Sequence, residues 1–468
     1  MKLKNYIYIS ILAIFLNSCE LDFAPSGSVS SETITEDDFN ALLAGAYDGV
    51  QGLSMGLPFV ADDLAADNLN ARTWQVLIDM DISSIPTDNS YISSWWNRYY
   101  TNIERCNDLI NQIDKNTPTD NLLQIRAQAC VIRSWNYYRL TTLWGKVPVV
   151  TTRTIASTPR NSEVEVWGQI RDDLEYATLN APDFSDRSYA SKEAAKAMLA
   201  RVYLIAPDGV KDLAKAKTLS EELIADSKFE LADNYADIWK SKTSNEIILQ
   251  WANIVGDGGG PGWFLRSNLT VAGETVGLGR YEYPVDKAFF NYAYESNNDQ
   301  RKAASVRHLV SGANETWDCI KYPSYDANDP WPVVRIAEMY LVSAEAQGYP
   351  AGIGRLNDLR EKRGLPALVA GTDITASNFL YKIMAERRVE LAFEGHRYYD
   401  LRRWFYTDAQ GKQDVLSFRA YQNGETTGSR PTASEKMNIA EDGYNLLFPV
   451  GASVIAVNPG LLPNNPGY

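Results

Sequence analysis

Histidine is almost missing from this chain: His308 and His396 are the only two in 468 residues. A histidine-built metal site or a Ser-His-Asp triad is therefore poorly supplied. Cysteine is nearly as scarce, with four residues and no CxxC pair, so no disulfide framework holds the fold. Cys106 and Cys130 fall at apolar positions of helical patterns and read as free buried thiols, a bridge between them being the alternative. Clusters of Lys and Arg are absent, and 59 acidic residues outweigh 45 basic ones for a net charge of -14. That balance excludes nucleic acid as a partner and does not suit docking on anionic lipid. The glycine-rich stretch Gly256 to Gly262 is followed by no Lys-Ser or Lys-Thr, so it is no phosphate loop.

Long apolar runs are missing too. The longest, Ile7 to Leu16, follows the positive start Met1-Lys2-Leu3-Lys4 and is about half the roughly 20 residues that cross a bilayer. It reads as a signal peptide over residues 1–18. Ser18-Cys19 closes it, and a cysteine there resembles a bacterial lipoprotein signal, in which Cys19 is lipidated and becomes the mature N-terminus. Residues 19–36, small and polar through Ser26 to Ser31, then form a tether.

What the chain does have is helix, in pairs. A pattern opens at Asp37-Asp38 and runs through Leu42, Leu43 and Tyr47. Apolar residues recur at helical spacing from Trp95 to Ile113, from Leu122 to Trp144 with a stop at Gly145, and from Val164 to Leu179. Two later stretches look like one unit written twice. Ala194 to Leu204 turns at Pro207-Asp208-Gly209 into a helix carrying Ala214, Ala216, Leu219 and Leu223; Arg335 to Ala346 turns through Gly348 to Gly354 into Leu356 to Arg363. Small residues at a close crossing, with a large apolar residue one turn on, make a tetratricopeptide-like hairpin, here without a strict period. The expected fold is mostly α, an irregular array of such hairpins with a loop-rich face. Residues 253–332, rich in Gly, Asn, Asp and Pro and dotted with aromatics, and the tail from Thr407, read as loops. The body divides into 37–252 and 253–468, two parts of one fold.

The side chains that carry chemistry are carboxylates and aromatics. Glu386, Glu390 and Glu394 fall at i, i+4 and i+8, and paired carboxylates could serve a glycosidase. Arg387, Arg388, Arg397, Arg402 and Arg403 lie near enough in sequence to neutralise them, which favours a structural ion-pair network that includes His396. Asp326, Asn328 and Asp329 could ligate calcium but lack EF-hand spacing; a solvated turn is the better reading, and no cofactor is expected. Of the 12 Trp and 27 Tyr, Trp135, Trp144, Trp167 and Trp404 sit on helical apolar faces and Trp331 reads as a packing plug. Trp74 lies outside any helical stripe, in a loop after Asp62-Asp63 and Asp67-Asn68.

An ordered set of motifs gives these pieces a family. Trp95-Trp96-Asn97-Arg98-Tyr99-Tyr100 leads into Ile103 to Asn107, Arg133 to Gly145 leads into Val147-Pro148-Val149, and Arg335 to Ala346 leads into Leu356 to Arg360. The most specific run is Glu386 to Arg397 continuing to Asp400-Leu401-Arg402-Arg403-Trp404, and the chain closes on Asn458-Pro459-Gly460-Leu461 and Asn464 to Tyr468. Behind a lipoprotein signal, this set resembles the SusD/RagB family over essentially the whole chain. The resemblance implies four tetratricopeptide-like units and a lipid-anchored protein on the outer face of the outer membrane, without catalytic activity. It also implies a role as lid on a SusC-type TonB-dependent transporter barrel, to which it delivers captured glycan; peptide is the cargo in one branch. A surface glycosidase and a protein-interaction scaffold are the rival readings. The family places binding groups in the early loop, near the Trp95 pair and in the mid-chain loops, which makes Asp67, Trp74, Trp95, Tyr283, Trp317 and Tyr325 the candidates for the ligand site. An aromatic ring covers the C–H face of a sugar, and Asp, Asn and Arg read its hydroxyls.

Overall fold

Among the described residues, ten helices of ten or more residues carry the fold, and their ends are set by local chemistry. The computed structural model describes residues 36–54, 58, 61–115, 117–154, 156–253, 259–267, 279–294, 296, 298–326, 328–407, 411–412, 440 and 442–468. Helix α1 spans Glu36–Ser54 and α2 spans Ser90–Asp114, opened by the Asn89 side chain accepting from the Tyr91 and Ile92 amides. Burial of Ile92, Trp95, Trp96, Tyr99, Ile103, Cys106, Ile110 and Ile113 gives α2 a single apolar stripe. Helix α3, Asp120–Trp144, is capped by Thr119 and released at Gly145, whose φ of 74° suits a residue without a Cβ. Its second half is buried all round, so it is the central helix. Helix α4, Glu163–Asn180, begins in a Ser162/Glu165 capping box; α5, Lys192–Ile205, and α6, Leu213–Ile224, are capped by Ser191 and Asp212.

From α2 to α6 each helix packs on its successor, as expected for a hairpin array. The chain then leaves the array and rejoins it as α7, Ile336–Gln347, which packs on α6, on α8, Ile353–Lys362, and on α9, Phe379–Glu390. Helix α10, Arg397–Thr407, returns to α3. The α7–α8 crossing is as close as its small residues predict: a Cβ on Gly352 would lie 2.0 Å from the Ala344 carbonyl oxygen.

The excursion between α6 and α7 corrects one expectation. Residues 253–332 were to be loops, yet they hold a hairpin of β2, Val306–Ser311, and β3, Asn314–Cys319, turning at Gly312 with φ 63°. A second two-stranded sheet pairs β1, Ile247–Trp251, with β4, Trp331–Arg335, and so ties the end of the excursion to its beginning. One hydrophobic core runs from Phe39 to Leu461 through both halves, taking in Trp135, Trp144, Trp167, Trp331 and Trp404. Cys106, Cys130 and Cys319 are free and buried, and burial pushes the Cys106 and Cys319 thiols up to about 12. The closing motif is a plug: Asn465 donates to the Trp144 and Phe448 carbonyls at 2.9 and 2.7 Å, and Trp144 Nε1 donates to the Pro449 carbonyl at 2.9 Å.

Candidate functional site

Three backbone segments lie side by side on the loop-rich face. Leu69 bridges Val285, the Asn70 amide donates to the Pro284 carbonyl, the Arg72 amide to the Glu282 carbonyl, and the Val285 amide to the Trp317 carbonyl on β3. Their pairing brings the early loop, the mid-chain loop and the hairpin into one surface. Trp74 stands at its edge, half-buried, 6.1 Å from the ring of Tyr91, which in turn stacks on Trp95 at 5.9 Å. The Arg280 guanidinium lies 5.1 Å from the Trp74 ring centre and 3.1 Å from Glu282, and Thr73 Oγ1 donates to the same carboxylate at 2.9 Å. Further along, Trp317 is half-buried, with His308 stacked on it at 4.7 Å and Lys287 Nζ 3.9 Å from its centre. Between them Tyr281, at φ 52°, accepts from the Trp317 amide through a hydroxyl that burial pushes up to about 12, so it stays protonated. Apolar ring surface beside donors and acceptors is what an uncharged polyol with C–H faces demands.

Of the candidates, Trp74 and Trp317 sit on this surface. Trp95 does not: it is 3% exposed and covered by Tyr91. Tyr283 is fully buried against Phe264. Asp67 is buried with both carboxylate oxygens on Arg397, at 2.7 and 2.9 Å, and with Arg388 3.2 Å away. These three hold up the surface from beneath rather than form it. Tyr325 is 63% exposed but lines a different cavity, with Trp239 and Arg266. The surface also has members the sequence reading missed: Tyr91, Arg280, Glu282, Lys287 and His308. Tyr91 had a signal, lying one turn before Trp95 at the exposed start of α2; the others had none.

The glutamates form a different kind of cluster. Glu386 pairs with Arg301 and Arg360 at 2.5 and 2.9 Å, Glu390 with Arg335 and Arg363 at 2.9 and 3.0 Å, and Glu394 with Arg335 and Lys321 at 2.8 and 2.7 Å. Glu246 joins through Arg335 and Arg363. Burial alone would raise Glu390, but Arg363, Arg335 and Arg301 hold its carboxyl well below the ordinary range. Such a group cannot deliver a proton near neutral pH. The network was expected, but with other partners. Arg387, one place from Glu386 on α9, projects away from the glutamate stripe and pairs with Asp400, while Arg402 and Arg403 lie on α10 and pair with Glu163 and Glu345. α9 ends at Glu390, and Glu394 reaches the cluster through a turn with Phe393 at φ 64°. His396 belongs elsewhere, 4.0 Å from Glu338.

Among the described residues no group of His, Cys, Asp or Glu is arranged to hold a metal. At the calcium candidate Asp329 is buried, accepting from Ser324 Oγ at 2.7 Å, and Lys242 donates to Asn328 Oδ1 at 3.2 Å, so the turn is less solvated than its composition implies. No described helix is long and apolar enough to cross a membrane, and residues 1–18, Cys19 and the tether to Thr35 lie outside the described residues.

Comparisons with known proteins agree with one another. Residues 263–468 match the sequence profile described as SusD family, and residues 21–204 match one described as starch-binding associating with outer membrane. A SusD-like protein of Formosa agariphila is 28% identical over 86% of this chain and 91% of its own length. A SusD-like protein of Bacteroides ovatus is 26% identical over 86% and 82%. In structure, a laminarin binding SusD-like protein superposes with a TM-score of 0.76 at 22% identity, covering 93% of this chain and all of the other. Surface glycan-binding protein A from Bacteroides uniformis gives 0.77 at 21%, covering 92% and 99%.

Proposed function

Because the chain belongs to the SusD family, we propose that it is a non-catalytic glycan-binding lipoprotein of the outer membrane, facing outward, that captures oligosaccharide at the Trp74–Trp317 surface and passes it to a SusC-type TonB-dependent transporter. The observation that carries the reading is the convergence of Trp74 and Tyr91 with Trp317, from two distant parts of the chain, on one half-buried strip with Arg280, Thr73 and Glu282 beside it. Relatives described as laminarin binding and surface glycan-binding support the class of cargo. The leader and Cys19 support the anchor, and the depressed Glu390 speaks against hydrolysis.

Titration calorimetry against a panel of neutral glucans and other oligosaccharides tests it. Trp74→Ala and Trp317→Ala are each expected to weaken the best ligand by about 1–2 kcal/mol, roughly 5–30-fold. Binding of oligopeptides with no binding of glycans would move the cargo to peptide. Sustained release of reducing sugar, abolished by Glu386→Gln, would make the protein an enzyme instead. Capture of a tagged copy from its native membrane is expected to bring a large barrel with it; a different partner removes the transporter role.

A further inference from the structure

The β2–β3 hairpin has two faces, and only one of them belongs to the surface described above. Alternate residues of a strand point to opposite sides. The His308–Trp317 pair faces the aromatic strip, and the neighbouring Arg307–Asp318 pair faces away from it. Behind that second face lies a cavity of about 440 Å³, lined by Trp239, Lys240, Arg266, Arg307 and Tyr325. Its size falls within the roughly 300–1,000 Å³ of small-ligand pockets. Ala303 and Ala304 floor it, and their short side chains leave the space open.

The described lining residues include three cations and no carboxylate. The acidic groups near them stand outside the wall. Arg307 donates to Asp318 at 3.1 Å, a fully buried carboxylate also held by Ser267 at 2.8 Å. Lys240 is 3.7 Å from Asp237, with both side chains largely in solvent. Arg266 is 4% exposed and donates to the carbonyls of Gly262, Pro323 and Ser324, and burial pulls its pKa down, a penalty that an incoming anion relieves. The aromatics complete the wall. Trp239 rests against Lys321 and Arg335 of the buried ion cluster, at 4.7 and 5.3 Å, and Tyr325 stands free in solvent at the rim.

We propose that this cavity is a second carbohydrate subsite, for a sugar ring bearing a carboxylate or a sulfate ester: Trp239 and Tyr325 cover the C–H faces, and Lys240, Arg266 and Arg307 hold the anion. The inference rests on the reading of the protein as a glycan binder. The chain's net charge of -14 repels long polyanions, which restricts the anion to a locally recognised substituent.

The purified protein is titrated with a tetragalacturonate, a sulfated carrageenan tetrasaccharide and neutral laminaritetraose. At least one anionic probe is expected to bind, more weakly as salt rises and without competition from saturating laminaritetraose; which probe it is identifies the substituent. Lys240→Glu is expected to reduce that affinity at least 10-fold and Tyr325→Ala about 5-fold. Both side chains are exposed, and an unchanged melting curve checks that the fold is kept. Failure of both anionic probes, or binding undiminished in both variants, overturns the inference. If laminaritetraose still binds through Trp74 while the anionic probes do not, the cavity inference falls alone; if no glycan of the wider panel binds either, the glycan reading falls with it.

Discussion

His396 shows what burial does to a single titrating group here. It is 7% exposed, with Nδ1 4.0 Å from Glu338, a carboxylate bound by Arg201 at 2.7 and 2.5 Å. Burial pulls the imidazole down to about 4 against the opposing pull of Glu338, and Arg201 and Arg387 add to the lowering, so the native ring stays neutral near pH 7. Between about pH 4 and its ordinary value of 6.5, the unfolded chain binds a proton that the native one refuses, and stability therefore falls as pH drops through that window. The loss reaches on the order of 2–3 kcal/mol by pH 4. Asp62 works in the opposite sense: burial raises its carboxyl to about 6, so its contribution is lost as pH rises from 3.8 through 6. A His396→Gln variant shares Asp62 and lacks the imidazole. Urea midpoints should therefore drop more steeply for the wild type than for the variant between pH 7 and 4; parallel curves reject the assignment. The same scale explains which site residues could be read from sequence. Trp74 was legible as a ring outside any helical stripe, and Trp317 as a ring in the mid-chain stretch where the family resemblance places binding groups. Asp67 was not, because the guanidinium that claims its carboxylate lies 330 residues along the chain, and no spacing rule reaches that far.

At the scale of elements, helices were legible and strands were not. The run read as Leu122 to Trp144 is Asp120–Trp144, since apolar periodicity and the Gly145 stop both act within a few residues. The β2–β3 hairpin shows little apolar alternation because its buried positions include Thr316 and Asp318: one side carries Trp317 and His308 toward the aromatic surface, the other carries Arg307 to a cavity. Polar groups at buried strand positions blur the pattern that announces a strand. The α7–α8 crossing gives a sharp test of how closely elements are fitted. Gly352→Ala places a methyl 2.0 Å from the Ala344 carbonyl, and α8 must shift, which costs about 1–3 kcal/mol. Two residues on, Gly354 lies inside α8 with nothing within 4 Å of a Cβ, so Gly354→Ala should stabilise by roughly 0.5 kcal/mol. Opposite shifts of the denaturation midpoint check both; equal shifts would mean that the crossing is looser than described.

The whole molecule is built so that neither half is complete. The hairpin array runs from α2 to α6, but its next helix, α7, lies beyond an excursion that carries the Trp317 part of the aromatic surface and the cationic cavity. The excursion is pinned at its two ends by β1 against β4, and a scaffold continuous across it can hold the side chains of the aromatic surface rigidly on what looks in sequence like loop. Dividing the chain between residues 252 and 253 would separate Arg201 from Glu338, Glu246 from Arg335 and Arg363, and Asp67 from Arg388 and Arg397, all of them buried. A buried charge stripped of its partner costs about 3–5 kcal/mol, and several such losses exceed the roughly 5–15 kcal/mol that a domain has in hand. Residues 37–252 and 253–468 made as separate chains are therefore expected to lack near-ultraviolet dichroism and a cooperative melt. The intact protein should lose near- and far-ultraviolet signals in one coincident transition, against the usual tendency of chains this long to unfold in stages. A sharp melt from either fragment would mean that its half-core outweighs the orphaned charges, and the two parts would then be domains rather than portions of one body.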